Sequence, residues 1–265
     1  MDSLDNITVF GDSWGCGRWL RAEEWVTTWS HDNDSDNYFT QSLQRYIPGV
    51  KNHSSGGKSN NESLRKLHME IVNNDRKNLA VNIDNNKLEN ILVIQTEPMR
   101  DVLQFMGFAG AEPGPIYRIT KGHNFQSYVN TLVDFFYYNL NLLAEKHNIN
   151  LYITAGCSDL NLKLLKKYKH VIPVCDSYYR LLDDSYTKLN SISDTYNISH
   201  ALGTISNKTN KTIINNLTHK RKIQKKYQEI YFGYANDNHP SGTGVDLWID
   251  HIIKNLTLIR KGNTI

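Results

Sequence analysis

The chain has little of what marks secreted, membrane-spanning or nucleic-acid-binding proteins. It holds only three cysteines, an odd number without metal-like spacing, so Cys16, Cys157 and Cys175 indicate free thiols in a reducing compartment. No apolar run is long enough to cross a bilayer, and residues 1–10 lack the basic and apolar regions of a secretory signal. The net charge of +3 is small and the basic residues are mostly scattered along the chain, which argues against nucleic acid as the main partner. These absences predict a cytoplasmic protein without membrane contact.

Two compositional features keep alternatives open. Asparagine is abundant, as in proteins of AT-rich genomes such as those of many phages, and a phage protein would be virion-associated instead of cytoplasmic. The segment 208–227 contains one basic run, HKRKIQKK at 219–226. We interpret this run as a solvated helix face, with a nucleic-acid-binding patch as the alternative.

Short apolar runs alternate with longer amphipathic ones along the whole chain. Strands are predicted over 7–10, 49–54, 90–95 and 149–156, and helices over 18–29, 38–46, 61–74, 127–147 and 245–256. This alternation predicts a parallel sheet covered by helices on both faces, that is, an α/β fold. No linker divides the chain, so residues 1–265 are predicted to form one domain. Two segments fit the pattern poorly: 101–122 is predicted as a loop insertion, and 176–230 as a mostly helical insertion.

The stretch VFGDSWGCG places a serine directly after a buried strand. In a parallel sheet ligands bind at the carboxyl ends of the strands, so Ser13 stands where a substrate would be expected. Gly11, Gly15 and Gly17 allow a tight backbone there, and the N–H groups of a following helix would favour negative charge. The alternative interpretation is that Asp12 and Ser13 only cap that helix.

A serine nucleophile needs a base, and the stretch DNHPSGTG near the last predicted helix offers one. Pro240 stiffens the turn that follows His239, which would hold the imidazole on a defined loop. Asp237 and Asn236 stand just upstream, where either side chain can orient the imidazole through its far nitrogen.

Three blocks together resemble the SGNH, or GDSL-type, serine hydrolases: FGDSW at 10–14, NHSSGGKSN at 52–60 and DNHPSGTG at 237–244. The resemblance implies a flavodoxin-like three-layer α/β/α fold with a central, mainly parallel sheet. It implies Ser13 as the nucleophile, His239 as the base and Asp237 as the orienting acid. It also implies that the backbone N–H groups of Ser13 and Gly57 contribute to an oxyanion hole.

The chain departs from the family pattern in two blocks. Where the last block usually has its aspartate, three residues before the histidine, this chain has Asn236, so Asp237 is favoured on a shortened loop and Asn236 with a Ser–His dyad is the alternative. The family has a further block, between the second and the last, that usually supplies an asparagine after a central strand. In this chain the strand predicted over 90–95 runs into TEPMRD at 96–101, which contains no asparagine. Gln95 or Thr96 would then supply the missing donor. Arg100 would hold an anionic substrate group or, alternatively, form a salt bridge with Glu97 or Asp101.

The resemblance implies hydrolysis of a carboxylic ester through an acyl-enzyme, without metal or organic cofactor. Aromatic residues are frequent and no long apolar lid is present, which favours O-acetyl groups on a glycan over a fatty acyl ester. Residues expected to contact the small-molecule or glycan substrate are Asp12, Trp14, Asn60 and Arg100. An acyltransferase acting on a sugar or lipid acceptor, and a catalytically degenerate binding or structural protein on the same fold, remain alternatives. The sequence leaves the oligomeric state open.

Overall fold

The computed structural model describes residues 4–12, 15, 38–56, 58–81, 88–96, 125–156, 159–182, 240 and 242–262. Within these ranges strands and helices alternate. The strands are β1 (Asn6–Phe10), β2 (Gly49–Asn52), β3 (Asn90–Gln95), β4 (Asn150–Ala155) and β5 (Val171–Pro173). The helices are α1 (Tyr38–Gln44), α2 (Asn60–Val81), α3 (Phe125–His147), α4 (Leu162–Leu165), α5 (Tyr178–Leu182) and α6 (Gly242–Arg260).

The five strands form one parallel sheet in the order β2-β1-β3-β4-β5. After β2 the chain crosses back over β1 to begin the other half of the sheet with β3. This order is one of the two common orders of doubly wound sheets. The predicted α/β fold with a parallel sheet is therefore confirmed.

Helices cover both faces of this sheet. On one face, α1 and α6 pack with residues of β1, β3 and β4 around the buried Trp248, whose ring meets that of Phe39 edge-on at 5.5 Å. On the other face, α2 and α3 pack over the alternate residues of the same strands. Because both faces are covered, all six residues of β3 are buried, which explains the four consecutive apolar residues at 91–94.

Most predicted elements agree with the structure to within a few residues. The sequence of the last helix has one apolar face, and in the structure that face is buried throughout. It comprises Val245, Trp248, Ile249, Ile252 and Leu256. The sequence pattern over 61–74 places His68 on one stripe with Leu67 and Ile71. In the structure His68 is exposed, and the buried stripe runs through Ser63, Leu67, Ile71 and Asn74. Strand β5 was not predicted, because three residues that end in proline carry almost no periodic signal.

Several predictions concern residues outside the described ranges. These are the helix over 18–29, the loop over 101–122, the basic run, and the part of the 176–230 insertion beyond Leu182. Cys16 and Cys157 also lie outside, whereas Cys175 is buried with a free thiol. Burial raises the pKa of the Cys175 thiol to about 12, so this cysteine is a packing residue. Of the described helices, none has the length and apolarity needed to span a membrane.

Candidate active site

The sheet reverses its direction of growth between β1 and β3. These strands are hydrogen-bonded neighbours, yet the chain leaves β1 toward β2 and leaves β3 toward β4, on opposite sides. Connections that diverge in this way leave a crevice outside the carboxyl ends of the two strands, and ligands of doubly wound sheets bind there. Asp12 follows β1 and Thr96 follows β3, so two predicted site residues lie at this point.

A short hydrogen bond joins these two residues. The Thr96 hydroxyl donates to Asp12 Oδ2 at 2.6 Å, and both residues are almost fully buried. Burying even a neutral polar group without a hydrogen bond costs on the order of 2–7 kcal/mol, so the buried Asp12 carboxyl group needs such a donor. The bond therefore ties the backbone just before Ser13 to the carboxyl end of β3.

Asn60, the first residue of α2, fixes the same point from the side. Its Oδ1 accepts from the Thr96 backbone N–H at 2.9 Å, and its Nδ2 donates to the Thr96 carbonyl oxygen at 3.1 Å. The amide thus pairs with both backbone groups of Thr96, much as another strand would. The predicted substrate contacts of Asn60 and Asp12 stay predictions, and in this arrangement both side chains bind Thr96.

Gln95 and Thr96 are the candidates for the third oxyanion donor. The Gln95 side chain lies on the α3 face of the sheet, where its Oε1 accepts from Tyr137 Oη at 2.7 Å and its Nε2 is 3.5 Å from the Asp159 carbonyl oxygen. The Thr96 hydroxyl donates to Asp12, as described above. Donation to an oxyanion stays a prediction for both. Thr96 would have to give up its bond to Asp12 to do it, whereas the Gln95 amide has a second N–H but lies on the α3 face of the sheet.

The end of β2 and the loop after it pack against the backbone on both sides of position 13. The Ser55 N–H donates to the Gly11 carbonyl at 3.2 Å, and Asn52 Nδ2 donates to the Gly15 carbonyl at 2.9 Å. A Cβ added to Gly15 would lie 2.4 Å from Ser54 Oγ, so only glycine fits this approach. The glycine pattern that suggested access for a substrate thus also serves contact with the chain itself.

Lys66 on α2 supports this loop from outside. Its ammonium donates to the His53 carbonyl oxygen and to Ser55 Oγ, both at 2.9 Å. Sequence reasoning did not single out Lys66 or Asn52. The available signal for Asn52 was its place as the first residue of the block NHSSGGKSN, whereas nothing in the local sequence distinguishes Lys66 from a solvated helix lysine.

The last helix begins beside the first turn of α1. A Cβ added to Gly242 would lie 3.4 Å from the Tyr38 ring, and Pro240, two residues earlier, is buried. Asp246 accepts hydrogen bonds from Tyr38 Oη at 3.0 Å and from the Ser42 hydroxyl, and it pairs with Arg45. Thr40, in the same turn of α1, accepts from Asn52 Nδ2 at 3.0 Å. The chain that follows His239 therefore starts α6 near the carboxyl end of β2.

The remaining predicted site residues lie outside the described ranges. They are the proposed catalytic residues Ser13, Asp237 and His239, the oxyanion residue Gly57, and the substrate contacts Trp14 and Arg100, together with Asn236, Glu97 and Asp101. Described residues adjoin many of them in the chain: Asp12 precedes Ser13, Gly56 and Lys58 flank Gly57, and Pro240 follows His239.

A second polar cluster, which the sequence did not reveal, lies past the ends of β4 and β5. Arg180 Nε lies 2.9 Å from Asp176 Oδ2 and 3.3 Å from Asp159 Oδ2, and all three side chains are largely buried. Ser177 Oγ donates to Asp159, and the Leu160 N–H donates to Asp176 Oδ1 at 2.8 Å. Burial and the nearby Asp159 carboxylate raise the pKa of Asp176 to about 7, although Arg180 and the Leu160 N–H partly oppose them.

No family model, curated protein or solved structure matches this chain. Within the described ranges, no three or more His, Cys, Asp or Glu side chains stand close enough together to hold a metal ion.

Proposed function

We propose that this chain is a serine esterase that hydrolyses a carboxylic ester, with O-acetyl groups on a carbohydrate as the substrate class. The finer fold assignment belongs to the same proposal: a flavodoxin-like, three-layer SGNH hydrolase domain with a mostly helical insertion. The observation that carries the proposal is a set of contacts at the carboxyl edge of the sheet. These contacts join segments from four stretches: FGDSW, NHSSGGKSN, TEPMRD and DNHPSGTG.

These contacts can be followed from one segment to the next. The Thr96 hydroxyl binds Asp12, and the Gly15 carbonyl binds Asn52, so β3 and the loop after β2 both attach beside the serine turn. Asn52 also binds Thr40 of α1, whose first residue lies against the start of α6. This connected set includes Asp12 next to Ser13, Asn60 three residues after Gly57, and Gly242 three residues after His239, which favours a joint role for the three motif residues.

In the proposed mechanism Ser13 Oγ attacks the ester carbonyl carbon while His239 removes the hydroxyl proton. His239 then passes the proton to the leaving alcohol, and a water molecule, deprotonated by the same imidazole, releases the carboxylic acid from Ser13. Asp237 orients the imidazole and stabilises its cationic form, with Asn236 as the alternative. The backbone N–H groups of Ser13 and Gly57 bind the oxyanion, where one donor contributes about 3 kcal/mol to lowering the barrier.

A binding protein without catalytic activity is the second candidate. The observation in its favour is that the Thr96 hydroxyl is bound to Asp12 and that the Gln95 amide is directed to the Asp159 carbonyl oxygen and Tyr137 on the α3 face. An oxyanion hole with two backbone donors alone would be weaker than one with three. A glycan ligand bound without turnover, by a protein that no phosphonate labels, would favour this candidate.

Hydrolysis of p-nitrophenyl acetate tests the esterase proposal. We expect turnover by the parent protein and a loss of about a thousandfold or more in kcat for Ser13→Ala and for His239→Ala, because each removes one member of the catalytic unit. His68→Ala is the matched control, since His68 is an exposed histidine on α2, and it should retain the parent rate. Equal rates in all four proteins would indicate background hydrolysis and contradict the assignment. A confirmed esterase would then be screened with acetylated glycans, with and without a sugar acceptor for acyl transfer.

A further inference from the structure

Two hydrogen bonds attach the end of β2 and the loop after it to the chain on both sides of the serine position. The Ser55 N–H binds the Gly11 carbonyl oxygen, two residues before Ser13, and Asn52 Nδ2 binds the Gly15 carbonyl oxygen, two residues after it. The same loop leads directly to Gly57. The proposed nucleophile and the proposed oxyanion donor are therefore carried by two segments that are joined at two points.

Asn52 is the side chain at the centre of this junction. Besides the Gly15 carbonyl, its Nδ2 binds Thr40 Oγ1 at 3.0 Å, and its Oδ1 accepts from the Ser54 N–H at 2.9 Å. The residue is 8% exposed, so these bonds form where water competes little. One amide thus connects the serine turn, the loop after β2 and the first turn of α1.

The packing around the junction leaves no room for the two segments to slide. A Cβ on Gly11 would lie 2.9 Å from the Cβ of Ile94, and a Cβ on Gly15 would lie 2.8 Å from its Cδ1. Both glycines also lie close to Ser54 Oγ. Lys66 fixes the loop on its other side. Because the two segments pack this closely, an oxygen–oxygen repulsion introduced at Asn52 is not easily relieved by side-chain adjustment and is expected to shift the backbone at Gly15.

We propose that Asn52 is a positioning residue that sets the serine turn against the loop after β2, so that Ser13 Oγ and the Gly57 N–H face one ester carbonyl. The proposal rests on the proposed esterase function. Attack and oxyanion binding both require sub-ångström placement, and a displacement of about 1 Å costs on the order of a hundredfold in rate. Asn52 acts through the backbone and does not touch the substrate.

The variant Asn52→Asp tests the proposal with Thr40→Val as its matched control. The aspartate places an oxygen against the Gly15 carbonyl oxygen and loses that bond, but it still accepts from Ser54 and can accept from the Thr40 hydroxyl. Thr40→Val loses the Thr40 bond and keeps the Gly15 bond. We expect kcat for p-nitrophenyl acetate to fall about 10- to 100-fold in Asn52→Asp with KM changed less than about threefold, and both constants to stay within about threefold in Thr40→Val.

The outcomes separate this inference from the proposed function. An active parent with an equally active Asn52→Asp variant, or an equal loss in Thr40→Val, would overturn the positioning role. An inactive parent would overturn the esterase proposal, and hydrogen exchange would then decide the inference by itself. Peptide amides over 9–17 should exchange faster in Asn52→Asp than in Thr40→Val, and identical exchange in the two would refute it.

If Asn52→Asp does not fold, a second pair of variants moves the same junction from the other side. Gly15→Ala would drive its new methyl group against Ser54 Oγ, and Ser54→Ala removes that oxygen. We expect kcat to fall in Gly15→Ala and to stay at the parent value in Ser54→Ala. In the double variant kcat should lie between those of Gly15→Ala and the parent. An unchanged kcat in a folded Gly15→Ala protein would contradict the proposal.

Discussion

At the scale of single residues, the carboxyl edge of the sheet is held together by side-chain amides. Asn60 pairs with both backbone groups of Thr96, and Asn52 pairs with Gly15 and Ser54. An amide offers a donor and an acceptor at once, so it can replace a missing strand neighbour where loops meet a sheet. Sequence reasoning placed Asn60 at the site as a substrate contact, and its backbone pairing depends on Thr96, 36 residues later, which no local pattern encodes.

The buried Asp176 is expected to make the stability of the protein depend on pH. Its folded-state pKa is about 7, above the value of about 4 expected in the unfolded chain, so the folded protein binds the proton more tightly between these values. The contribution of Asp176 to the free energy of unfolding therefore falls as the pH rises from about 4 to about 7, by up to about 1.4 kcal/mol per pH unit. Asp159, Arg180, Ser177 and the Leu160 N–H are the groups around it.

Urea unfolding of the parent and Asp176→Asn at pH 5, 6, 7 and 8 measures this contribution. The difference in the free energy of unfolding, parent minus variant, should decrease up to about pH 7 and then stay constant, because the variant lacks the titrating group. A difference that is constant over the whole range would show that Asp176 does not hold its proton in the folded protein.

At the scale of elements, the contact between α1 and α6 holds the start of α6, which begins three residues after His239 in the chain. Apolar residues on both helices bury Trp248, and Asp246 of α6 binds Tyr38, Ser42 and Arg45 of α1. Burial would raise the pKa of Asp246, but the hydrogen bonds from Ser42, Tyr38 and Arg45 outweigh it and lower the pKa. The ionised carboxylate therefore stabilises this helix pair.

We expect Asp246→Asn to lower the free energy of unfolding at pH 7 by about 1 kcal/mol, a value that allows for the partly exposed setting of the carboxylate. Because the folded pKa lies below the unfolded one, this difference should shrink as the pH falls through about 4 toward 3. Asp250→Asn is the matched control one turn further along α6, where the exposed bond with Tyr46 should contribute less than about 0.5 kcal/mol. Urea unfolding of both variants at pH 7 and pH 3 measures these differences. Equal losses of unfolding free energy in the two variants would contradict the special role of Asp246.

At the scale of the whole molecule, the fold was predictable where burial leaves a periodic pattern. The continuous apolar run of β3 and the inner face of α6 identified both elements, since a buried parallel strand and an amphipathic helix differ in period. The strand order, the exposure of His68 and the short strand β5 were not predictable, because they depend on tertiary packing. The site was predictable as motifs along the chain, but the bonds of Asn52, Asn60 and Lys66 that join its segments are long-range contacts without a local signature.

The central claim is that Ser13 is an activated nucleophile at the carboxyl edge of the sheet. The most direct test is reaction of the parent protein and the His239→Ala variant with a fluorophosphonate, followed by mass mapping of the labelled peptide. We expect one adduct on Ser13 in the parent and labelling slowed by about a hundredfold or more in His239→Ala, because the hydroxyl needs the imidazole as its base. A parent protein that stays unlabelled, or that carries its adduct on another residue, would refute Ser13 as the nucleophile.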